Sequence, residues 1–443
     1  MTATVRPMKT SAELSLAEAF AAAQPALPGD GEVGQWREAA FERFATTGLP
    51  HRRIEQWKYT DLRAVLREAK PLADLPDVAA LRRADGAGRG LDGTQCRRLV
   101  FVDGAFAAEL SDLADLEPGL TVRPMAAALA AGDPLVVSRL GKVVPVTDAA
   151  VDVNTALMGD GAVIHVAAGA TIARPLHLVF AAVADKPAAM FTRSLIVVEP
   201  GARVLLIESH DGAPGGAHQV NTALELVVGD EAEVDRVKIT NEGADTLHVA
   251  SLLAAIGARA RFNDFAVTIG GAVIRNQLFL RFDGEGTVAG IRGANLLTGR
   301  QHADTTLVAD HAVGGCRTRE LFKSVLDGAA RGVFQGKIIV RPDAQRTDAK
   351  MMSRALLLSD EAEANSKPEL EIFADDVQCG HGATAGALDG ELKFYLMARG
   401  IPAKEAEALL IEAFVAEAIE TVAHQGVKDA LMELAAAWLR ARG

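Results

Sequence analysis

The chain has 443 residues, which is room for about three domains of ordinary size or for one long repetitive domain with additions. Its 46 basic and 58 acidic side chains give a net charge of −12, which argues against a protein that neutralises the phosphates of nucleic acids. Hydrophobic residues make up 49% and charged residues 23% of the chain, so a mostly disordered chain is excluded.

The cysteine content indicates a reducing compartment. Cys96, Cys316 and Cys379 are odd in number and widely separated, so neither a disulfide framework nor a CxxC redox pair is available. Glu13 and Glu18 interrupt the Ala-rich stretch near the N-terminus, and no run of about 18 apolar residues occurs. We therefore expect a cytoplasmic protein that is not a membrane protein.

The beginning of the chain is predicted to be helical. Between residues 11 and 70, apolar side chains recur at i, i+3 and i+4, as at Trp36, Ala39 and Ala40. Residues 70–145 are mixed, with a strand-like run at 98–102, and the pattern assigns no fold to them. We take residues 1–145 as an N-terminal helical and mixed domain.

The middle of the chain contains an internal repeat. Apolar, strand-like runs end repeatedly in a Gly-centred turn that is followed by another short apolar run. The turn glycines recur every 28 to 32 residues, at Gly169, Gly201, Gly229, Gly257, Gly286 and Gly314. Such a period favours stacked β-rich units, that is a β-solenoid, over a β-sandwich with evenly spaced strands. We assign residues 146–385 to this core.

The end of the chain returns to a helical period. A helix over 391–399 ends at Gly400, a residue typical of the position after a helix. A second helix starts at Pro402 and runs to about Val422, and a third covers about 427–442. Residues 386–443 therefore form a predicted C-terminal helical domain.

Two motifs that resemble nucleotide-binding loops fail on inspection. Residues 284–289 fit the pattern GxGxxA, but the following GIRG does not begin a helix that could bind a pyrophosphate. Residues 332–338 are one residue too short for a Walker A loop and lack the Ser or Thr after the Lys. We expect no ATP site on this chain.

Cys379 and His381 are the leading candidates for metal ligands. In an extended segment the two side chains point to the same face, about 7 Å apart. Thiolate and imidazole are soft and borderline ligands, but a closed zinc site needs four of them. The pair is therefore either half of a metal site completed from elsewhere, or a buried Cys beside a hydrogen-bonded His.

Two further polar clusters are weaker candidates. His302 and Asp304, together with His311, suit either ligation and acid-base chemistry or a structural role. Acidic residues are frequent between positions 361 and 376, where they form either a solvated face or a transient iron-binding surface.

Several segments resemble a known family. Residues 356–414, which contain ELEIFADDVQCGHGATAG, strongly resemble the SufB and SufD proteins of the Suf iron-sulfur cluster assembly system. Residues 48–62 (GLPHRRIEQWKYTDL) resemble the N-terminal motif of that family, and QHADTTLVADH and VFQGKIIVRPDAQRTDA resemble its central segments. The resemblance covers residues from about 45 to 425.

Sequence differences place the chain nearer to one branch of this family. SufB-like chains carry a scaffold cysteine shortly before the segment that matches LLLSD, and a Glu directly after the His that matches His381. Here residues 350–355 contain no cysteine, Ser353 lies near the expected place, and Gly382 follows His381. The pattern therefore resembles the SufD branch better than the SufB branch.

The resemblance implies both a fold and a role. The fold is mainly β with α, a right-handed parallel β-helix core flanked by N- and C-terminal helical domains. The role is that of a non-catalytic scaffold subunit in a SufB-SufC-SufD complex, in which a SufC-like ATPase docks on the C-terminal helices. The β-helix pairs with a SufB-like paralogue to form the site of a transient iron-sulfur cluster, for which Cys379 and His381 are candidate ligands or proton-transfer groups. The isolated chain is a candidate homodimer.

Two alternatives remain open at this point. The first is a purely structural adaptor of the same complex, with no ligating residue. The second is a β-helix enzyme that acts on polysaccharides, which would need aromatic platforms in a groove. Aromatic residues are only 5% of the chain, and Trp36, Trp57 and Trp438 lie in the helical ends, which argues against this enzyme.

Overall fold

Two parallel β-sheets, lying face to face, form a β-solenoid through most of the chain. The computed structural model describes residues 9–213 and 215–442, so residues 1–8, 214 and 443 lie outside the described residues. The strands are β1 (Arg97–Val102), β2 (Ala105–Phe106), β3 (Leu120–Pro124), β4 (Ala162–Val166), β5 (Leu176–Ala182), β6 (Ala189–Val198), β7 (Arg203–Gly212), β8 (Gln219–Val228), β9 (Glu233–Asn241), β10 (Leu247–Ile256), β11 (Arg261–Thr268), β12 (Val273–Phe282), β13 (Val288–Leu297), β14 (His302–His311), β15 (Arg317–Leu326), β16 (Arg331–Val340), β17 (Asp348–Leu357), β18 (Glu363–Ile372) and β19 (Gln378–Gly386). From β4 onwards, even-numbered strands form one sheet and odd-numbered strands the other, so β4 to β19 make eight coils.

The predicted turn glycines lie where the coils stack. Each of the six follows an even-numbered strand, and Gly201 and Gly286 have φ angles of +70° and +73°, which glycine adopts without strain. At Gly229 a Cβ atom would lie 2.6 Å from the backbone nitrogen of Pro200 in the preceding coil. The repeat therefore reflects coil-on-coil packing, and the solenoid prediction is confirmed over the sandwich alternative.

The space between the sheets is apolar on one side and polar on the other. Residues such as Ile196, Leu206 and Leu226 belong to one large buried cluster near the glycine turns. Toward the opposite turns, alternate positions of the same strands carry buried polar side chains. This polar interior includes Glu208, His210, Arg236, Lys238, His248 and Asp264.

The N-terminal part combines helices with the first strands of both sheets. Its helices are α1 (Ser11–Ala23), α2 (Glu32–Thr47), α3 (Leu62–Val65), α4 (Val78–Ala84), α5 (Met125–Ala130), α6 (Pro134–Arg139) and α7 (Ala149–Leu157). The region 70–145, to which the sequence assigned no fold, supplies β1, which pairs in parallel with β5, and β3, which pairs antiparallel with β4. It therefore covers the first end of both sheets. The domain boundaries at 145 and 385 stay predictions.

In the described part of the chain, three helices follow the solenoid, as predicted: α8 (Gly390–Ala398), α9 (Ala403–Ile419) and α10 (Gln425–Arg442). Ile411 and Val415 of α9 pack with Phe265 and Val325 on the outer face of the odd-numbered sheet. Leu409 remains 42% exposed, and α8 buries none of its side chains. Among the described residues, none of the helices is long and apolar enough to span a membrane.

Candidate functional site

The solenoid ends in two edge strands. In the described chain β18 pairs only with β16, and β19 pairs only with β17, so each presents one unpaired backbone edge. The two edges differ in composition. β18 carries Lys367, Pro368 and Glu369, which are residues that discourage pairing with another strand, whereas β19 has the uncharged sequence QCGHGATAG and is largely exposed.

Cys379 and His381 lie on this uncharged edge strand. As alternate residues of β19 they occupy the same face, with Cys379 half-buried against the apolar core and His381 exposed. Burial raises the pKa of the Cys379 thiol, and the nearby carboxylate of Asp348 raises it further. The resting side chain is therefore a thiol, and a bound metal ion would displace its proton.

The coil beneath this face contains a buried acid. In the strand register His381 pairs with Met351, and Met351 pairs with Glu320, which places Glu320 two strands below His381. Glu320 is buried, and neither of its carboxylate oxygens has a hydrogen-bond partner among the described residues. Burial raises the pKa of Glu320 to about 8, so the carboxyl is protonated at neutral pH.

The glycines that alternate with the candidate ligands belong to the opposite face of β19. At Gly380 an added Cβ would meet no atom of the described chain within 4 Å. At Gly382 it would approach the terminal Cε of Met352 at 2.7 Å, which is the end of a flexible side chain. Packing within this chain therefore does not demand a glycine at position 380.

His302 and Asp304 form a joint with the N-terminal segment. Thr60 Oγ1 lies 2.8 Å from His302 Nε2 and donates to Asp304 Oδ2 at 2.5 Å. Arg275 Nη1 donates to the same carboxylate at 2.5 Å, and its guanidinium stacks 3.8 Å from the centre of the Trp57 ring. Two of the family-like segments thus bind each other. Trp57, only 2% exposed, is not available as a carbohydrate platform.

His311 is separated from that joint. It lies at the other end of β14, about 30 Å away at the strand rise, and stacks on Phe282 with 4.5 Å between ring centres. The structure therefore does not bring His302, Asp304 and His311 together. Most acidic residues between positions 361 and 376 are exposed, and Glu363 pairs with Arg331 and Glu371 with Lys337.

A second group of ligand-type side chains was not found from the sequence. His210, Glu242 and His248 offer ligand atoms that all lie within 4.8 Å of one another, and all three are buried. They come from β7, from the turn after β9 and from β10. No local motif joins them, and only the register of the repeat could have shown that these positions face each other.

The two motifs that resembled nucleotide loops are parts of the solenoid. Residues 284–289 form the turn between β12 and β13 and the first residues of β13, and residues 332–338 lie within β16. Neither segment leads into a helix N-terminus, which is where such loops bind phosphate.

Comparisons with known proteins agree with the fold and with the family-like motifs. Residues 30–178 match the SufBD protein N-terminal region, and residues 180–414 match the SufBD core domain of SUF system FeS cluster assembly. An iron-sulfur cluster assembly SufBD family protein of Synechocystis is 33% identical over 400 residues, which cover 87% of this chain and 86% of the relative. The iron-sulfur cluster assembly protein SufD of Escherichia coli is 29% identical over 400 residues, which cover 88% and 90%, respectively. The chain therefore belongs to the SufBD family of iron-sulfur cluster assembly proteins, as a homologue of SufD.

Proposed function

We propose that this chain is a non-catalytic scaffold subunit that pairs with a SufB-like partner to form the site of a nascent iron-sulfur cluster. The observation that carries the proposal is the open β19 edge, which is exposed, uncharged and bears Cys379 and His381. The cluster is the cargo of this site. A cytoplasmic location is part of the proposal, and it fits a chain whose three cysteines form no disulfide among the described residues.

The pairing is proposed to use the unpaired backbone of β19. An edge strand of nine residues without charge or proline is a liability unless another strand covers it, and strand addition satisfies its free N–H and C=O groups. A strand of the partner would then lie beside Cys379 and His381. The same edge can pair with a second copy of this chain when the partner is missing.

The two candidate ligands suit a site that is completed by another chain. His381 is exposed, and Cys379 is half-buried at the rim of the core, so both are accessible only at the open end. The thiolate of Cys379 and the imidazole of His381 then supply soft and borderline ligands to iron.

A SufC-like ATPase is proposed to dock on the C-terminal helices. Five large apolar side chains of α8 and α9 are exposed in the described chain, and we term them the α8–α9 surface: Leu392, Phe394, Tyr395, Met397 and Leu409. So many exposed apolar side chains on two consecutive helices are typical of an interaction surface. In this arrangement ATP hydrolysis belongs to the partner.

The decisive experiment replaces the ligands within the assembled three-chain complex. We expect His381→Ala to leave assembly and ATPase activity near normal while iron and acid-labile sulfide in the complex fall severalfold, and Cys379→Ser to have a smaller effect. Gln378→Ala, on the opposite face of the same strand, is the matched control. Wild-type cluster formation by His381→Ala would make this chain an adaptor whose partner holds the whole site.

A further inference from the structure

We propose that the polar interior of the solenoid contains a second, separate metal site, in which His210, Glu242 and His248 bind one divalent first-row transition ion such as Zn²⁺ or Fe²⁺. Their ligand atoms lie within 4.8 Å of one another, close enough to share one ion. β7 is six strands from β19 in the same sheet, about 29 Å at the usual strand spacing. The site is therefore independent of the proposed function of the open end.

His210 lacks the partners that a buried imidazole normally has. It is 1% exposed, stacks on Phe180 with 4.8 Å between ring centres, and meets the edge of His248 at 4.7 Å. Neither ring nitrogen has a hydrogen-bond partner among the described residues, and the nearest carboxylate oxygen, from Glu208, is 3.7 Å from Nε2. An unpaired buried polar group is destabilising, and a metal ion on one nitrogen would remove that cost.

His248 is already held in the orientation of a metal ligand. Its Nδ1 lies 2.9 Å from Glu242 Oε2, and its Nε2 lies 3.0 Å from Thr222 Oγ1. Without an ion, Nδ1–H donates to the carboxylate and the Thr222 hydroxyl donates to Nε2. With an ion between Nδ1 and Glu242, the proton moves to Nε2 and is donated to Thr222, which is the outer contact that ligating histidines usually make.

The surrounding charges leave one carboxylate without a close cation. Arg236 is bonded to Glu208 at 2.6 Å and to Asp264 at 2.5 Å. Lys238 donates to Asn276 Oδ1 at 2.6 Å, and burial lowers the pKa of Lys238 to about 8, so its charge is weakly held. Arg236 thus bonds two of these carboxyl groups, whereas the hydrogen-bond partner of Glu242 is His248. A divalent ion beside Glu242 would supply a counter-charge.

The three ligand atoms suit a single ion, because they all lie within 4.8 Å of one another. A neighbouring cavity of about 20 Å³ between the sheets is lined by Glu208, Thr222 and Lys238, but by none of the three ligands. Two nitrogen ligands and one oxygen ligand, completed by a water molecule, are typical of a mononuclear site, so the interior site differs in kind from a cluster site.

Metal content of the full-length chain tests the inference. The protein is produced in medium supplemented with Zn²⁺ or, anaerobically, with Fe²⁺, desalted, and analysed by plasma mass spectrometry. We expect about one equivalent of one of these ions in the wild type and in the double variant Cys379→Ser, His381→Ala. Less than a tenth of an equivalent is expected in His210→Ala and in Glu242→Gln. His311→Ala is the matched control, because His311 is also buried, stacked on a Phe and without a partner among the described residues, yet stands apart from any such cluster.

A spectroscopic arm separates loss of the site from loss of the fold. Co²⁺ loaded in place of the native ion should give absorption bands of a four-coordinate nitrogen and oxygen site in the wild type, and circular dichroism should show that Glu242→Gln is folded without those bands. Substoichiometric metal in the folded wild type, or equal metal in wild type and Glu242→Gln, would overturn the inference. Loss of metal only in the Cys379 and His381 double variant would assign the ion to the open end instead.

Discussion

The polar interior and the open end of the solenoid both present histidines as candidate ligands, but in opposite surroundings. In the interior, His210, Glu242 and His248 come from neighbouring coils and are buried together. At the end, Cys379 and His381 sit on a strand that has a neighbour on one side only. Inside the solenoid, neighbouring coils on both sides can supply the ligands of one site. The last coil has a neighbour on one side only, so its candidate ligands form half of a site that another chain must complete.

The first prediction concerns Glu320, which lies in the buried region directly beneath the open end. Its pKa is about 8 in the folded chain and near 4.5 in an unfolded one, so the unfolded chain loses the proton first as pH rises. Stability should therefore fall between about pH 4.5 and pH 8, by up to about 5 kcal/mol at about 1.4 kcal/mol per pKa unit. Denaturant unfolding of wild type and Glu320→Gln across this range measures the difference.

The control for this prediction is Glu361→Gln, because Glu361 is exposed in a turn near the same end. Its pH profile should follow that of the wild type. Should the Glu320→Gln and wild-type profiles be parallel from pH 5 to pH 9, the buried carboxyl is not protonated in the way its burial implies.

The second prediction tests the edge of β19 directly. The Gln378 amide donates to Thr347 within this chain, and because N–H groups of a parallel strand alternate in direction, the amide of Ala383 points to the open edge. Ala383→Pro should weaken pairing with a SufB-like partner roughly a hundredfold, because it removes that donor and blocks close approach. Ala383→Ser keeps the amide and should pair normally. Equal affinity of both variants, measured by sedimentation or calorimetry, would rule out pairing through this edge.

The third prediction concerns the α8–α9 surface, where the expected effect is smallest. Phe394 is 72% exposed, so Phe394→Ser should leave the fold intact. The loss of one aromatic contact should weaken binding of a SufC-like ATPase by about tenfold. Leu14→Ser is the matched control, because Leu14 is 51% exposed on α1, away from this surface. Similar pull-down yields for both variants would place the ATPase elsewhere.

Local patterns were sufficient for much of this fold. The glycine period predicted the solenoid, because each coil must turn at the same place to stack on its neighbour, and Gly229 shows how little room that stacking leaves. Alternation along a strand predicted that Cys379 and His381 share a face. The end of α8 was predicted from Gly400, which has a φ of +87°, and the start of α9 was predicted from Pro402.

Other features depended on contacts between distant segments. Ile411 and Val415 of α9 pack on the sheet while Leu409 stays exposed, because the docking angle of the helix selects the buried face. His302, Asp304 and His311 are close in sequence, but His302 and Asp304 lie at the start of β14. His311 lies at the other end of that strand and on its opposite face. Residues 70–145 had no clear period, because β1 and β3 are short strands that are stabilised by pairing with β5 and β4.

The sequence by itself determined the family, the solenoid and the helices that flank it, since these follow from short-range periodicity, turn residues and motifs. Only the tertiary structure decided which ligand-type side chains meet. His210 and His248 are 38 residues apart and belong to different sheets, and their rings touch because two coils stack in register. Proximity across a stacked repeat depends on the register of every intervening turn, and that information is distributed over the whole chain.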